Sequence, residues 1–429
     1  MERFDAIVLG AGISGMTAAS VLRERGAQRV LLVDEYGHLG GNHVSLDIGP
    51  FTYDIGSFIF HDNSPLMRRF PELRDLYLPF DGQTGRLDFD GRLAQYPFDM
   101  RKDLLQVGPI ELGRMLGSLV HGRLTCDPTR SAQDFVSYWL GERLARRTGL
   151  FSYLERFYGA SPALIEGEFA RKRMQWVSAN ASIRGQLKRL MKPRRLSNRA
   201  VVRPRGGFTE LYEPVRASLG ASGVQLRLGE RIASLEPGKA GGLVLSTGAA
   251  RYTAPAVYST VPLDVAAQWC RLPPNPSVRY ATLTSLFYSF RGTRTFPHHV
   301  LYNFSNAGRW KRLTMHSDCY GQADGREYFS VEIISDAQPD NADLLDADFR
   351  THVRQNGFLR GDLVLEGTRK TASAYPIYLL GATAAAAGMI TSLRALGVLS
   401  FGRQGGFDYQ PTSHVSSVMA ERAVMAFGN

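Results

Sequence analysis

The 429-residue sequence predicts an α/β protein, in which a Rossmann-like dinucleotide-binding domain built from discontinuous segments carries a helical insertion and an antiparallel-sheet substrate domain. Three observations carry this expectation. Residues 5–35 read strand, glycine turn, helix, strand and acid in that order. Short apolar runs next to glycines return near residues 224–235, 252–258 and 396–401. Between residues 278 and 334 several strand-like segments follow one another without a helix, the pattern of an antiparallel sheet.

The first unit is the most informative. Asp5 to Leu9 is a short apolar strand, Gly10-Ala11-Gly12-Ile13-Ser14-Gly15 is the turn, and Met16 to Arg25 has a helical period. Val30 to Val33 is the second strand and ends in Asp34-Glu35, nineteen residues after the third glycine. Such a strand–GxGxxG–helix–strand–acid order is a dinucleotide fingerprint in its proper context. Gly10 permits the tight turn, Gly12 lets the backbone approach a pyrophosphate, and Gly15 lets helix and strand pack closely. Ser14 lies on the helix's first turn, whose free N–H groups and positive dipole end suit phosphate. Asp34, with Glu35 beside it, is placed to accept hydrogen bonds from a ribose hydroxyl.

Further along, Leu87 to Pro97 reads as a hairpin around Asp90-Gly91. Residues 103–190 are mainly helical. Ile110 to Val120 is one helix, and Asp134 to Phe157 is another, interrupted at Gly141 and Gly149. Lys188 to Arg205 is the densest basic run. It is either a solvated loop or a cationic loop that grips an acidic substrate, with Arg194 and Arg195 at its centre. A helix follows Gly206-Gly207-Phe208, then strands over 224–228, 230–235, 242–245 and 252–258. Val278 to Phe290, Val300 to Phe304, Lys311 to His316 and Glu327 to Ile334 are the strands of the second sheet. Asp343 to Asn356 is a helix, Leu396 to Phe401 a last strand, and Ser413 to Phe427 the closing helix. The expected domains are 1–62, 203–265 and 395–429 for the nucleotide, 63–202 for the hairpin and helical lid, and 266–394 for the substrate sheet.

Composition sets bounds. A hydrophobic content of 44% and a charged content of 21% are ordinary for a globular chain. The net charge of +11 is nearly all arginine, with only seven lysines; the two readings are an anionic cofactor and substrate and an arginine bias of the kind a GC-rich genome produces. No nucleic-acid module is recognisable. Cys126, Cys270 and Cys319 are far apart and form no CxxC pair, so neither metal nor disulfides are expected. The chain starts almost directly with a strand, so no signal peptide and a cytoplasmic location are expected. Thr371 to Leu393 is long and uncharged, but its proline, glycines and alanines read as buried protein and no transmembrane segment.

The chain as a whole resembles the flavin amine-oxidase and protoporphyrinogen-oxidase-like superfamily, nearest to the branch containing UDP-galactopyranose mutase. Gly10 to Gly15, Asp34 with Gly40-Gly41-Asn42, Ile59-Phe60-His61, Pro97 to Met100, Gly206 to Thr209 and Gly402-Arg403 carry the resemblance. It implies FAD, with the pair Gly40-Gly41 and Asn42 near the diphosphate. Residues 53–61, a glycine loop leading into an apolar strand, read either as an ordinary strand entry or as a segment under the isoalloxazine ring. The resemblance further implies that Ile232 meets the adenine through its backbone and that Arg403 meets the diphosphate or the flavin edge. Phe407, Tyr409 and Ser413 would lie near the flavin pyrimidine. The mutases of that branch resemble one another in a histidine where Phe58 stands here, and their K-Q-W element is replaced by Tyr158-Gly159-Ala160.

The expected function is hydride transfer from a small, anionic substrate, of sugar-nucleotide or secondary-metabolite type, to flavin N5. A reduced-flavin, non-redox sugar mutase and a non-catalytic FAD-binding protein are the alternatives. Arg173 and Arg312 are candidates to hold the anion, because guanidinium pairs bidentately with phosphate or carboxylate. His61 is the candidate base. Tyr302, Tyr320 and Tyr409 are candidates to line the pocket, and each also reads as an ordinary core aromatic. The electron acceptor and the oligomeric state are not legible in the sequence.

Overall fold

A computed structural model describes residues 1–96, 107–174, 199–239, 241–335 and 341–427. Its centre is a five-stranded parallel sheet in the order Val224–Leu228, Val30–Asp34, Ala6–Leu9, Val257–Ser259, Val398–Ser400. Consecutive side chains of a strand point to opposite faces. Ala6, Val8, Val30 and Leu32 therefore enter one core, with Met16, Val21, Leu219 and Val424 from helices Ile13–Glu24, Gly207–Ala221 and Ser413–Ala426. Ile7, Leu9, Leu31 and Val33 enter the other, with Ile232, Leu243 and Leu393. Burial on both faces is why these strands are continuous apolar runs.

The second face is covered by a four-stranded sheet, Glu2–Arg3, Arg251–Ala254, Leu243–Thr247, Ile232–Pro237, and by helix Ala382–Ala395. That helix, expected as buried protein, buries Ala382, Ala386, Met389 and Leu393 and exposes its other side. Its many alanines conceal the period.

A seven-stranded sheet forms the second layer. Its order is Leu359–Ile377, Arg279–Arg294, Glu327–Ser335, Arg312–Met315, Val300–Asn303, Thr84–Leu87, Leu93–Gln95. All neighbours are antiparallel except Val300–Asn303 with Thr84–Leu87. The hairpin read around Gly91 is present, with Leu87 opposite Leu93, and it extends this sheet rather than the helical segment next to it in sequence. Leu359–Ile377 was not expected. It is an edge strand, so residues 360–362 face solvent and its sequence lacks the apolar alternation of a half-buried strand.

The helical insertion comprises Pro109–Thr125, Ala132–Leu140, Glu142–Arg147, Leu150–Tyr158 and Gly167–Arg173. The helix expected over 134–157 is cut at Gly141 and Gly149, with φ of 78° and 74°. A side chain at Gly149 would meet the Phe304 carbonyl at 1.8 Å, so the second break is also where the insertion seats on the sheet. Among the described residues no helix is long and apolar enough to cross a membrane.

Candidate active site

A cavity of about 670 Å³ lies between the parallel sheet and the seven-stranded sheet. The glycines that build its first end separate into two kinds. A Cβ on Gly15 would meet the Gly10 carbonyl oxygen at 1.7 Å, and one on Gly10 would meet Thr260 Oγ1 at 2.5 Å. Protein packing alone requires glycine at those two positions. At Gly12 the nearest atom to an added Cβ would be Gly41 Cα, at 3.8 Å, and its φ of −73° suits any residue. No described neighbour demands glycine there, and Gly12 lines the cavity. Gly12 and Gly40 form a parallel bridge, and Gly40 N–H donates to the Ala11 carbonyl at 2.9 Å. The first glycine loop and the glycine pair are thus one backbone cradle.

Asp34 ends its strand beside this cradle. Its Oδ2 accepts from Ala11 N–H at 2.5 Å and its Oδ1 from Tyr36 N–H at 2.8 Å. Burial pushes its pKa up, against those two amides. Glu35 Oε1 accepts from Ile232 N–H at 3.3 Å, so the backbone group expected to meet an adenine is tied to the acid run. Ser14, Asn42 and Arg403 line the same cavity, as do Gln410 to Ser413 at the start of helix Ser413–Ala426. The Arg403 guanidinium lies 5.7 Å from the Tyr375 ring centre and has no carboxylate partner among the described residues. Burial pushes its pKa down.

The other end is built by the insertion and the antiparallel sheet. Arg173, from the last turn of Gly167–Arg173, donates to Tyr409 Oη at 2.6 Å and Tyr153 Oη at 2.7 Å, and stacks over Phe157. Lys311 and Arg312 share one carboxylate, Glu332. Lys311 Nζ lies 3.1 Å from Glu332 Oε2, and Arg312 Nε donates to Oε1 at 2.6 Å. Lys311 also donates to Tyr375 Oη at 2.9 Å. Burial pushes the Lys311 pKa down to about 7; Arg312 and Arg173 push the same way, and Glu332 opposes. Glu332 stays ionised, since its two cations outweigh its burial. Arg173 and Arg312 against the one carboxylate of Glu332 leave this end positive even when Lys311 is neutral. Arg173 Nε, Thr371 Oγ1, Tyr378 Oη, Gln404 Oε1 and Gln410 Oε1 are buried at the cavity without a hydrogen-bond partner. Polar atoms left so among the described residues are costly.

Several expected residues fall elsewhere. His61 does not line the cavity. Phe60 before it lines the cavity and packs against the helical core, so strand alternation turns His61 to the other face. The histidine at the cavity is His43, just after the glycine pair. Its Nδ1 is 2.6 Å from Tyr212 Oη, and its ring is 4.7 Å from Phe58, the residue in the mutase histidine position. Burial pushes its pKa down to about 3, so it is neutral at any ordinary pH. Tyr320 is also absent from the cavity. It lies under Arg203, whose guanidinium is 4.0 Å from the ring centre and whose Nε donates to buried Asp54 at 2.7 Å. Phe407, with φ of 46°, packs on Tyr280 and Tyr378 behind the cavity wall. Tyr302 and Tyr409 line the cavity. Arg194, Arg195 and Pro97 to Met100 lie outside the described residues. Lys311, Glu332 and His43 were missed. The alternation of Arg312–Met315 against Glu327–Ser335 pairs Arg312 with Glu332, but nothing local in sequence announces that pairing.

Comparison with known proteins agrees with this architecture. Residues 8–76 match the NAD(P)-binding Rossmann-like domain family. A stretch of 114 residues is 38% identical to UDP-galactopyranose mutase of Mycoplasma pneumoniae, covering 22% of this chain and 28% of that protein. A stretch of 58 residues is 43% identical to the chloroplastic prolycopene isomerase 2 of an Oncidium hybrid cultivar, covering 14% of this chain and 10% of that protein. The matches thus span well under a third of those relatives' length. Among solved structures, reduced UDP-galactopyranose mutase aligns with a TM-score of 0.79 at 18% identity, over 100% of this chain and 94% of that one. A putative protoporphyrinogen oxidase from Exiguobacterium sp. 255-15 aligns with a TM-score of 0.74 at 14% identity, over 99% and 98%.

Proposed function

For a chain with the fold of the FAD amine-oxidase-like superfamily, we propose a FAD-dependent oxidoreductase that accepts hydride from a small anionic substrate. Gly12, Ser14, Asp34, Gly41, Asn42, Ile232, Arg403 and Ser413 hold the cofactor in this reading. The cavity-lining Gly12 that no described neighbour forces to be glycine, an Arg403 without a carboxylate partner among the described residues and the helix start at Ser413 fit a diphosphate and an electron-rich ring. Bound FAD supplies the two-electron chemistry.

The observation that carries the reading is the cation cluster at the far end of the cavity. Arg173 and Arg312 hold the substrate's anionic group. Tyr153 and Tyr409 fix the first guanidinium and Glu332 fixes the second, so little side-chain freedom is lost when the anion arrives. Lys311 is the group at this end that can hold or release a proton near neutral pH. Phe58, Phe157 and Tyr375 keep water from the reacting bond. A second reading is a non-redox sugar-ring rearrangement that needs reduced flavin. It draws on the 38% identity with the Mycoplasma pneumoniae mutase.

The test is an anaerobic flavin-absorbance screen of purified protein against nucleotide sugars, amines and carbinols, with and without dithionite. Bleaching by a substrate supports the oxidoreductase. Turnover only after dithionite, with no net oxidation, replaces it by the second reading. Protein that takes up no FAD overturns both.

A further inference from the structure

Arg312, Glu332 and Lys311 lie one behind another. Arg312 faces the cavity with 19% of its side chain exposed, while Glu332 and Lys311 behind it are each 1% exposed. Lys311 Nζ lies 4.4 Å from the centre of the Phe157 ring, and the Arg173 guanidinium lies 4.3 Å from that same centre. Three cations thus meet around one carboxylate in a place largely withdrawn from water. Among the described residues no second carboxylate pairs with any of them. An excess of one charge in such a place is costly.

Of the four groups, one can relieve that cost. A guanidinium keeps its proton in a protein, so Arg173 and Arg312 stay charged. Glu332 is held ionised against its burial by its two cations. The facing phenols keep their protons: burial pushes Tyr153 up to about 12, and Tyr158 and Tyr375 well above the usual phenol range. Tyr302 lies against Arg312, and Arg403 against the Tyr375 ring, so neither adds negative charge. The lysine is the member that can give up its charge, and its pKa, lowered by burial to about 7, agrees. An anion held by Arg173 and Arg312 reverses the balance, because negative charge nearby favours the protonated amine.

Resting on the reading of those two arginines as the anion's holders, we propose that Lys311 couples anion binding to proton uptake. It stands neutral in the empty site and takes a proton from solvent when the anion arrives. The coupling is reciprocal, so the bound proton strengthens the hold on the anion by the same factor. The test uses flavin-loaded protein and sulfate, a dianion that does not titrate in the range studied. Proton uptake is followed with an indicator dye in weakly buffered solution, and affinity by calorimetry. Between pH of about 7.5 and about 9.5 each sulfate bound should take up about one proton, and its Kd should rise about tenfold per pH unit. Lys311→Met should bind sulfate with no proton uptake and a Kd flat in pH. Arg173→Met should bind at least about tenfold more weakly, since it loses one of two charge-assisted partners. Sulfate bound by the parent without proton uptake overturns the coupling and leaves the anion site standing. Undiminished uptake in Lys311→Met assigns the proton to another group and overturns the coupling too. If sulfate does not bind, or binds Arg173→Met as well as the parent, the anion-holding reading falls and the coupling with it. Should Lys311→Met fail to fold, the difference in proton uptake between the parent and Arg173→Met decides: equal uptake refutes the coupling.

Discussion

Lys311 offers a measurement that needs no substrate. It is 1% exposed, and among the described residues its ammonium meets Glu332, Tyr375 and the ring faces of Phe157 and Tyr375. Burial lowers its pKa from 10.5 to about 7. In the unfolded chain the same lysine titrates near 10.4. Between these values the unfolded chain binds a proton that the folded chain has released, so this lysine makes stability rise with pH across that window. With nearly one proton of difference, the slope is about 1.2 kcal/mol per pH unit, or about 2.5 kcal/mol between pH of about 7.5 and about 9.5. Lys311→Met keeps most of the volume and leaves Glu332 paired with Arg312. Urea unfolding of apoprotein at both pH values should therefore show a smaller rise for the variant than for the parent, by about 2.5 kcal/mol. Every other titrating group is common to both proteins and cancels in that difference. Parallel pH dependences would refute the assignment of a proton-releasing lysine to the cavity.

Gly12→Ala should change the stability of apoprotein by less than about 1 kcal/mol and yet weaken FAD binding at least tenfold, read by flavin fluorescence. Gly15→Ala, whose methyl would overlap the Gly10 carbonyl, should cost about 3 kcal/mol of unfolding free energy, the upper end for overpacking, without any ligand. Asp34→Ala strips the acceptor from the Ala11 and Tyr36 amides and should cost about 1–3 kcal/mol, together with flavin retention on gel filtration. Arg203→Met leaves Asp54 buried without its cation and should cost about 3–5 kcal/mol in chemical denaturation, while Arg173→Met, at the cavity, should leave FAD affinity unchanged and raise the substrate KM.

The nucleotide half of the fold was legible because its information is local. The glycine spacing, the apolar runs of 5–9 and 30–33 and the acid at Asp34 all lie within thirty residues, and each has a backbone reason. The cation end of the cavity was only half legible. Arg173 and Arg312 could be suspected from residue type, but Lys311 gains its shifted proton affinity from Glu332, Tyr375 and Phe157. Those three lie on a paired strand, an edge strand and an inserted helix, so no window of sequence contains the site.

His61 and Tyr320 show the same divide from the other side. Both have suitable chemistry, and both lie close in sequence to elements of the cavity wall. Strand alternation carries His61 outward, and the buried Asp54–Arg203 pair takes Tyr320 for itself. His43 enters instead because the glycine pair turns the chain back against Phe58 and Tyr212. By itself the sequence determined the dinucleotide cradle, since that depends on backbone conformation and close approach, which glycine spacing writes directly. Only the tertiary structure decided which ionisable groups share the cavity, because burial and pairing across distant strands set both their positions and their charge.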